Sequence, residues 1–70
     1  MELTKAQPGR EYTVQAICTQ DRELDRFLFT LGCYVGQKVT VIFHGRKNLV
    51  FCVKDARYSI DSQLAAAILV

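Results

Sequence analysis

At 70 residues the chain has room for one domain with a thin core, since a domain of that size buries only about 60% of the surface its unfolded chain exposes. Half of the residues are apolar, which argues against disorder and for a packed body. A net charge of +2, spread over nine scattered Lys and Arg, is too small to imply a nucleic-acid partner by itself.

The N-terminal Met1-Glu2-Leu3-Thr4-Lys5 has no apolar run behind a basic start, so no signal peptide is expected. Pro8-Gly9 marks a turn. Glu11 to Cys18 is rich in strand formers, with Tyr12, Val14, Ala16 and Cys18 on one face. Ile17 breaks the alternation, which predicts a bulge or strong twist.

The period then changes. Leu24, Phe27, Leu28 and Leu31 follow the i, i+3, i+4, i+7 spacing of one helical stripe, which predicts a helix over residues 21–31 with that stripe buried. Phe29 is extra, about 100° round the helix from Leu28. Thr19 or Asp21 can cap the start, and Asp21, Glu23 and Asp25 oppose the helix dipole. Gly32 stands where a left-handed residue commonly ends a helix.

Beyond Gly36 the period falls to two. Val39, Val41 and Phe43 share one face of a predicted strand, and His44-Gly45-Arg46-Lys47-Asn48 has the composition of a hairpin loop. Leu49 to Lys54 is a second strand with apolar residues on both faces, as in a strand covered on two sides or closing a small barrel. Lys54-Asp55-Ala56-Arg57 turns the chain, and Tyr58-Ser59-Ile60 is a short strand. Asp61 can cap a helical turn through Leu64, and Ile68-Leu69-Val70 is a last strand. The terminal apolar run Leu64–Val70 is far shorter than the roughly 20 residues a membrane helix needs.

The glycine pair in Leu31-Gly32-Cys33-Tyr34-Val35-Gly36-Gln37-Lys38 invites comparison with a phosphate loop. That loop runs from a strand into a helix, whose free amides meet the anion. Here the order is helix, loop, strand, so Gly32 lies at the negative end of the helix dipole. Gln37 stands in place of the lysine beside the second glycine, and Lys38 in place of the magnesium-binding hydroxyl. Gly32 and Gly36 are therefore turn residues.

The run from Arg26 to Val41 resembles the FeoA-like family, in which a helix ends in Leu-Gly, a second glycine follows four residues on, and a strand of alternating valines comes next. Leu3 with Pro8-Gly9 is similar to the family's opening, and Ala65 with Ile68 and Val70 to its close. The resemblance implies a mainly β fold: a small SH3-like barrel with one inserted helix, here about residues 21–31, and a short C-terminal helical turn. It implies a cytosolic accessory of ferrous iron transport that acts on the cytosolic part of the membrane transporter FeoB. The same kind of domain also occurs at the C-terminal end of iron-dependent repressors, and this chain is too short to carry their DNA-binding part. Three residues depart from the family's pattern: Val35 replaces a frequent proline, Cys33 replaces a larger aliphatic residue, and Phe29 stands where a polar residue is usual.

Candidate partner contacts are Phe29, which is either exposed or covered as core, Tyr34 beside it, and the basic hairpin tip of His44, Arg46 and Lys47. Arg46 or Arg57, both placed in loops, are the arginines that could reach a partner's nucleotide site. Cys18, Cys33 and Cys52 cannot all pair within one chain, so free thiols in the reducing cytoplasm are expected. Neither these cysteines with His44 nor Asp21, Glu23 and Asp25 have the spacing of a metal site, and no cofactor is expected. With a single histidine and no nucleophile motif, the chain does not read as an enzyme. Two functional classes follow: an interaction module of ferrous iron transport, or a small nucleic-acid-binding barrel using the Arg46-Lys47 tip. Open strand edges also allow self-association.

Overall fold

The computed structural model describes residues 1–70. Six strands form two sheets: β1 (Glu11–Thr13), β3 (Lys38–His44), β4 (Asn48–Val53) and β5 (Ala56–Asp61) in the order β1-β3-β4-β5, and β2 (Ala16–Ile17) with β6 (Ile68–Leu69). All the pairings are antiparallel. The helices are α1 (Arg22–Leu31) and α2 (Ser62–Ala66), and a single 3₁₀ turn covers Leu3–Lys5. The architecture is mainly β and SH3-like, as expected, but the sheets do not close into a barrel.

The strand expected from Glu11 to Cys18 is two strands. Val14 is the point of transfer: its N–H donates to the Gln37 carbonyl at 2.8 Å and its carbonyl accepts from Gly36 N–H at 2.9 Å. The next N–H, that of Gln15, donates to Leu69 on the other sheet at 2.7 Å. One chain thus serves both sheets by bending at Val14, whose buried side chain anchors the corner. Ile17 is an ordinary member of β2, and Cys18 is exposed rather than in the core.

The irregularity lies instead in β3. Its register against β4 shifts between Val41 and Phe43, so Ile42 is a bulge. Val39 and Val41 are buried, but past the bulge Phe43 turns outward and is 57% exposed. The same slip leaves Ile42 in solvent. In β4 Leu49, Phe51 and Val53 are fully buried, while Val50 and Cys52 are half-covered on the other face.

The turn expected over residues 54–57 is tighter. Lys54 and Asp55 alone make it, both left-handed at φ 51° and 65°, the geometry of a two-residue hairpin whose twist matches the strands. Arg57 therefore lies in β5 and not in a loop.

Asp61 caps α2, its carboxylate accepting from Leu64 N–H at 2.8 Å. Ala65 on α2 and Ile68 on β6 then join Leu3, Val14, Leu28 and the inner residues of β3–β5 in one core. The ends of the chain are tied together: Met1 and Val70 exchange main-chain hydrogen bonds at 2.9 and 2.8 Å, extending β6 on its second edge.

Candidate docking surface

Asp21 is the cap of α1, its carboxylate accepting from Glu23 N–H at 2.9 Å and Leu24 N–H at 3.4 Å. Thr19 supports it from outside the helix, its hydroxyl accepting from Asp21 N–H at 3.1 Å. The helix ends in a Schellman turn. Gly32 is left-handed at φ 90°, and Cys33 N–H reaches back to the Leu28 carbonyl at 2.9 Å. Cys33 and Leu28 are both buried, which supplies the apolar contact that accompanies this motif. Cys33 thus fills the core beneath the helix end, and burial pushes its thiol up to about 11.

The buried stripe expected of α1 is mostly not buried. Only Leu28 is fully covered, Leu31 is half-covered, Leu24 is 38% exposed and Phe27 46%. A helix lying across the rim of a small sheet can bury little more than the residue that points straight down. Phe27 and Phe29 stand about 100° to either side of Leu28 and so emerge on its two flanks. Phe29 is 62% exposed.

The loop after the helix extends this surface. The Tyr34 ring packs on Phe29 with centroids 5.0 Å apart and a 32° tilt. Lys54, held left-handed in the β4–β5 turn, runs its aliphatic stem across Gly32 and donates its ammonium to the Tyr34 hydroxyl at 2.7 Å. A Cβ on Gly32 would come within 3.0 Å of that stem, so the glycine serves both the helix end and the lysine's path. Val35, in place of the expected proline, is 61% exposed next to Tyr34. Phe29 and Tyr34 thus form an aromatic patch with the Lys54 ammonium along its edge, and Val35 is exposed next to Tyr34 in the chain.

The other candidates lie elsewhere. His44 ends β3, and Arg46 and Lys47 are exposed in the following loop. Arg46 and Lys47 share an open recess of about 390 Å³ with Asp61, Ser62 and Gln63. Ser62 N–H donates to the Lys47 carbonyl at 2.9 Å, which fixes the loop against α2. Arg57 is exposed on the edge strand and lines neither the patch nor the recess. Cys18, Cys33 and Cys52 are all free thiols, and no three His, Cys, Asp or Glu side chains converge as metal ligands. Lys54, Val35, Phe27 and Phe43 are surface residues that were not among the partner contacts expected from the sequence. For Phe27 and Phe29 the signal was there, since two phenylalanines flanking one leucine on a ten-residue helix cannot both face a small core.

Residues 1–70, the whole chain, match the FeoA domain family. The chain belongs to that family. No curated protein matches the sequence. Among solved structures, the FeoA domain is similar to an iron uptake regulatory protein, FeoA, with a TM-score of 0.87 at 20% identity over 97% of this chain and 91% of that one. It is also similar to a manganese-dependent transcriptional repressor, with a TM-score of 0.88 at 20% identity over 97% of this chain. The same kind of repressor in complex with manganese gives a TM-score of 0.87 at 19% identity over 96% of this chain. The chain spans 39% and 34% of those repressors' lengths. At these identities the likeness carries the fold. No helix of this FeoA domain is long and apolar enough to cross a membrane.

Proposed function

We propose that this FeoA domain is a cytoplasmic, non-enzymatic docking module of ferrous iron uptake that binds the cytosolic part of the transporter FeoB. The observation that carries the reading is the patch of Phe29, Tyr34 and Val35, with Phe27 on the far flank of the same helix. Two of its members, Phe29 and Val35, are more than 60% exposed. Aromatic side chains, Phe29 and Tyr34 here, are enriched at protein interfaces, and Tyr is among the types that dominate binding energy there. Lys54 is held in place by Tyr34 and adds a directional charge at the rim, where it would favour encounter with an acidic partner face. Membership of the FeoA domain family and the likeness to an iron uptake regulatory protein support a role in iron uptake, and FeoB is the partner that the family resemblance implies.

The test is capture of the purified FeoB cytosolic domain by the immobilised native chain under reducing conditions, beside a Phe29→Ala, Val35→Ser double variant. Retention by the native chain and loss with the double variant is the expected result. Equal retention by both, or none by the native chain at high protein concentration, refutes the proposal.

One observation favours a second reading. The bulge in β3 exposes Phe43 near the cationic loop of Arg46 and Lys47, and an aromatic ring beside cations is a common element of single-stranded nucleic-acid surfaces. Asp61 in the same recess works against it. A gel shift with single-stranded RNA at low salt separates the two, because binding of this kind falls steeply as salt rises.

A further inference from the structure

We infer that two copies of this chain associate through β5, pairing edge to edge about a two-fold axis at Ser59. The barrel is open because β5 pairs only with β4 and nothing pairs with its other side. The two-residue turn makes Val53 and Ala56 the first hydrogen-bonded pair of that hairpin, so Phe51–Tyr58 and Leu49–Ile60 follow in phase. The main-chain N–H and C=O groups of Arg57 and Ser59, and the N–H of Asp61, consequently point away from β4. No hydrogen bond from another element reaches them.

Edge strands are ordinarily blunted by shortness, bulges, proline or charged side chains, lysine above all. β5 has no bulge, proline or lysine, and its two charges, Arg57 and Asp61, are of opposite sign. It is six residues long, and its register against β4 is unbroken. The opposite edge, β1, has only three residues and holds the ion pair of Glu11 with Lys38 at 3.7 Å.

The occupant follows from the charges. Arg57, Ser59 and Asp61 share the exposed face of β5. With Ser59 opposite Ser59 of a second copy, Arg57 of each copy stands opposite Asp61 of the other. That register makes two cross-strand ion pairs and roughly four main-chain hydrogen bonds. Centring on Arg57 or on Asp61 sets like charges face to face, so the sequence of the strand selects the Ser59 register. An antiparallel pair of this kind is isologous and closes as a dimer, with no growth beyond it. The contact is small, so it is weak and shows only at high protein concentration.

The experiment is sedimentation equilibrium at low ionic strength up to about 1 mM protein, on the native chain, on Ser59→Lys, on Ser59→Glu, and on an equimolar mixture of the two variants. Ser59 is exposed and its hydroxyl only accepts a surface hydrogen bond from Asn48 Nδ2 at 3.1 Å, so both variants fold, as far-UV circular dichroism will show. The native chain is expected to dimerise. Each variant, with like charges meeting on the axis, is expected to associate about tenfold more weakly, and the mixture to recover association. A native chain monomeric at 1 mM, variants that dimerise as the native chain does, or a mixture no stronger than either variant alone would each overturn the pairing.

Discussion

Leu28 and Phe29 are neighbours in the chain and opposites in environment, so one substitution at each separates folding from docking. Leu28 is fully buried beneath α1. Leu28→Ala removes its packing and leaves a cavity, at a cost of about 2–5 kcal/mol, much of what a domain of this size has to lose. Phe29→Ala gives up a partial contact with the Tyr34 ring, about 0.5–1.5 kcal/mol, and recovers roughly 0.5 kcal/mol in helix propensity. Its net effect on folding is therefore below about 1 kcal/mol. Binding reverses the order. With 62% of Phe29 still exposed, roughly 120 Å² of side-chain surface remains to be covered by a partner, a ceiling of about 3 kcal/mol. A loss of 10- to 100-fold in affinity for the FeoB cytosolic domain is expected. Urea unfolding followed by circular dichroism gives the stabilities, since the chain has no tryptophan, and calorimetric titration gives the affinities. If Phe29→Ala unfolds the protein as readily as Leu28→Ala, or folds and binds as tightly as the native chain, the division of labour drawn here is refuted.

Three further outcomes are expected. Gly32→Ala places a Cβ on a left-handed residue and against the Lys54 stem, and should lower stability by about 1–2 kcal/mol in the same unfolding assay. Asp55→Gly relieves a left-handed aspartate at the hairpin turn, and should raise Tm by about 2–5 °C in a thermal melt. Cys33 holds its proton up to about 11 in the folded state, whereas the unfolded thiol ionises near 9.0. The stability that this group contributes is complete below pH 9 and is lost as pH rises to about 11, so urea midpoints should fall across that window. Cys33→Ala should flatten the fall, and a thiol reagent at pH 8 should label Cys18 but not Cys33 in the folded chain.

The ends of elements were legible in the sequence where a single residue type does one local job. Asp21 and Asp61 accept the first free amides of their helices, and Gly32 and Gly36 take the positive φ that other residues resist. What was not legible depends on tertiary placement. Nothing local tells a strand to change sheets, so the break at Val14 was invisible until Gln37 and Leu69 were found on either side of it. The bulge at Ile42 takes Phe43 off the face of Val39 and Val41 without disturbing the alternation of apolar residues that put the three together. The stripe on α1 carried the right period for a helix, but period alone does not say how much core lies beneath it. That is why Leu24 and Phe27 were expected inside and stand partly in solvent. Lys54 became part of the patch only through a turn too short to be guessed from Lys-Asp.

Docking through the helix–loop face is tested most directly by adding unlabelled FeoB cytosolic domain to the ¹⁵N-labelled chain and following its amide resonances. Binding there should move Phe29, Gly32, Tyr34, Val35 and Lys54 and leave Arg46 and Lys47 in place. A spectrum unchanged at several-fold excess, or one in which only residues 44–48 move, would contradict it.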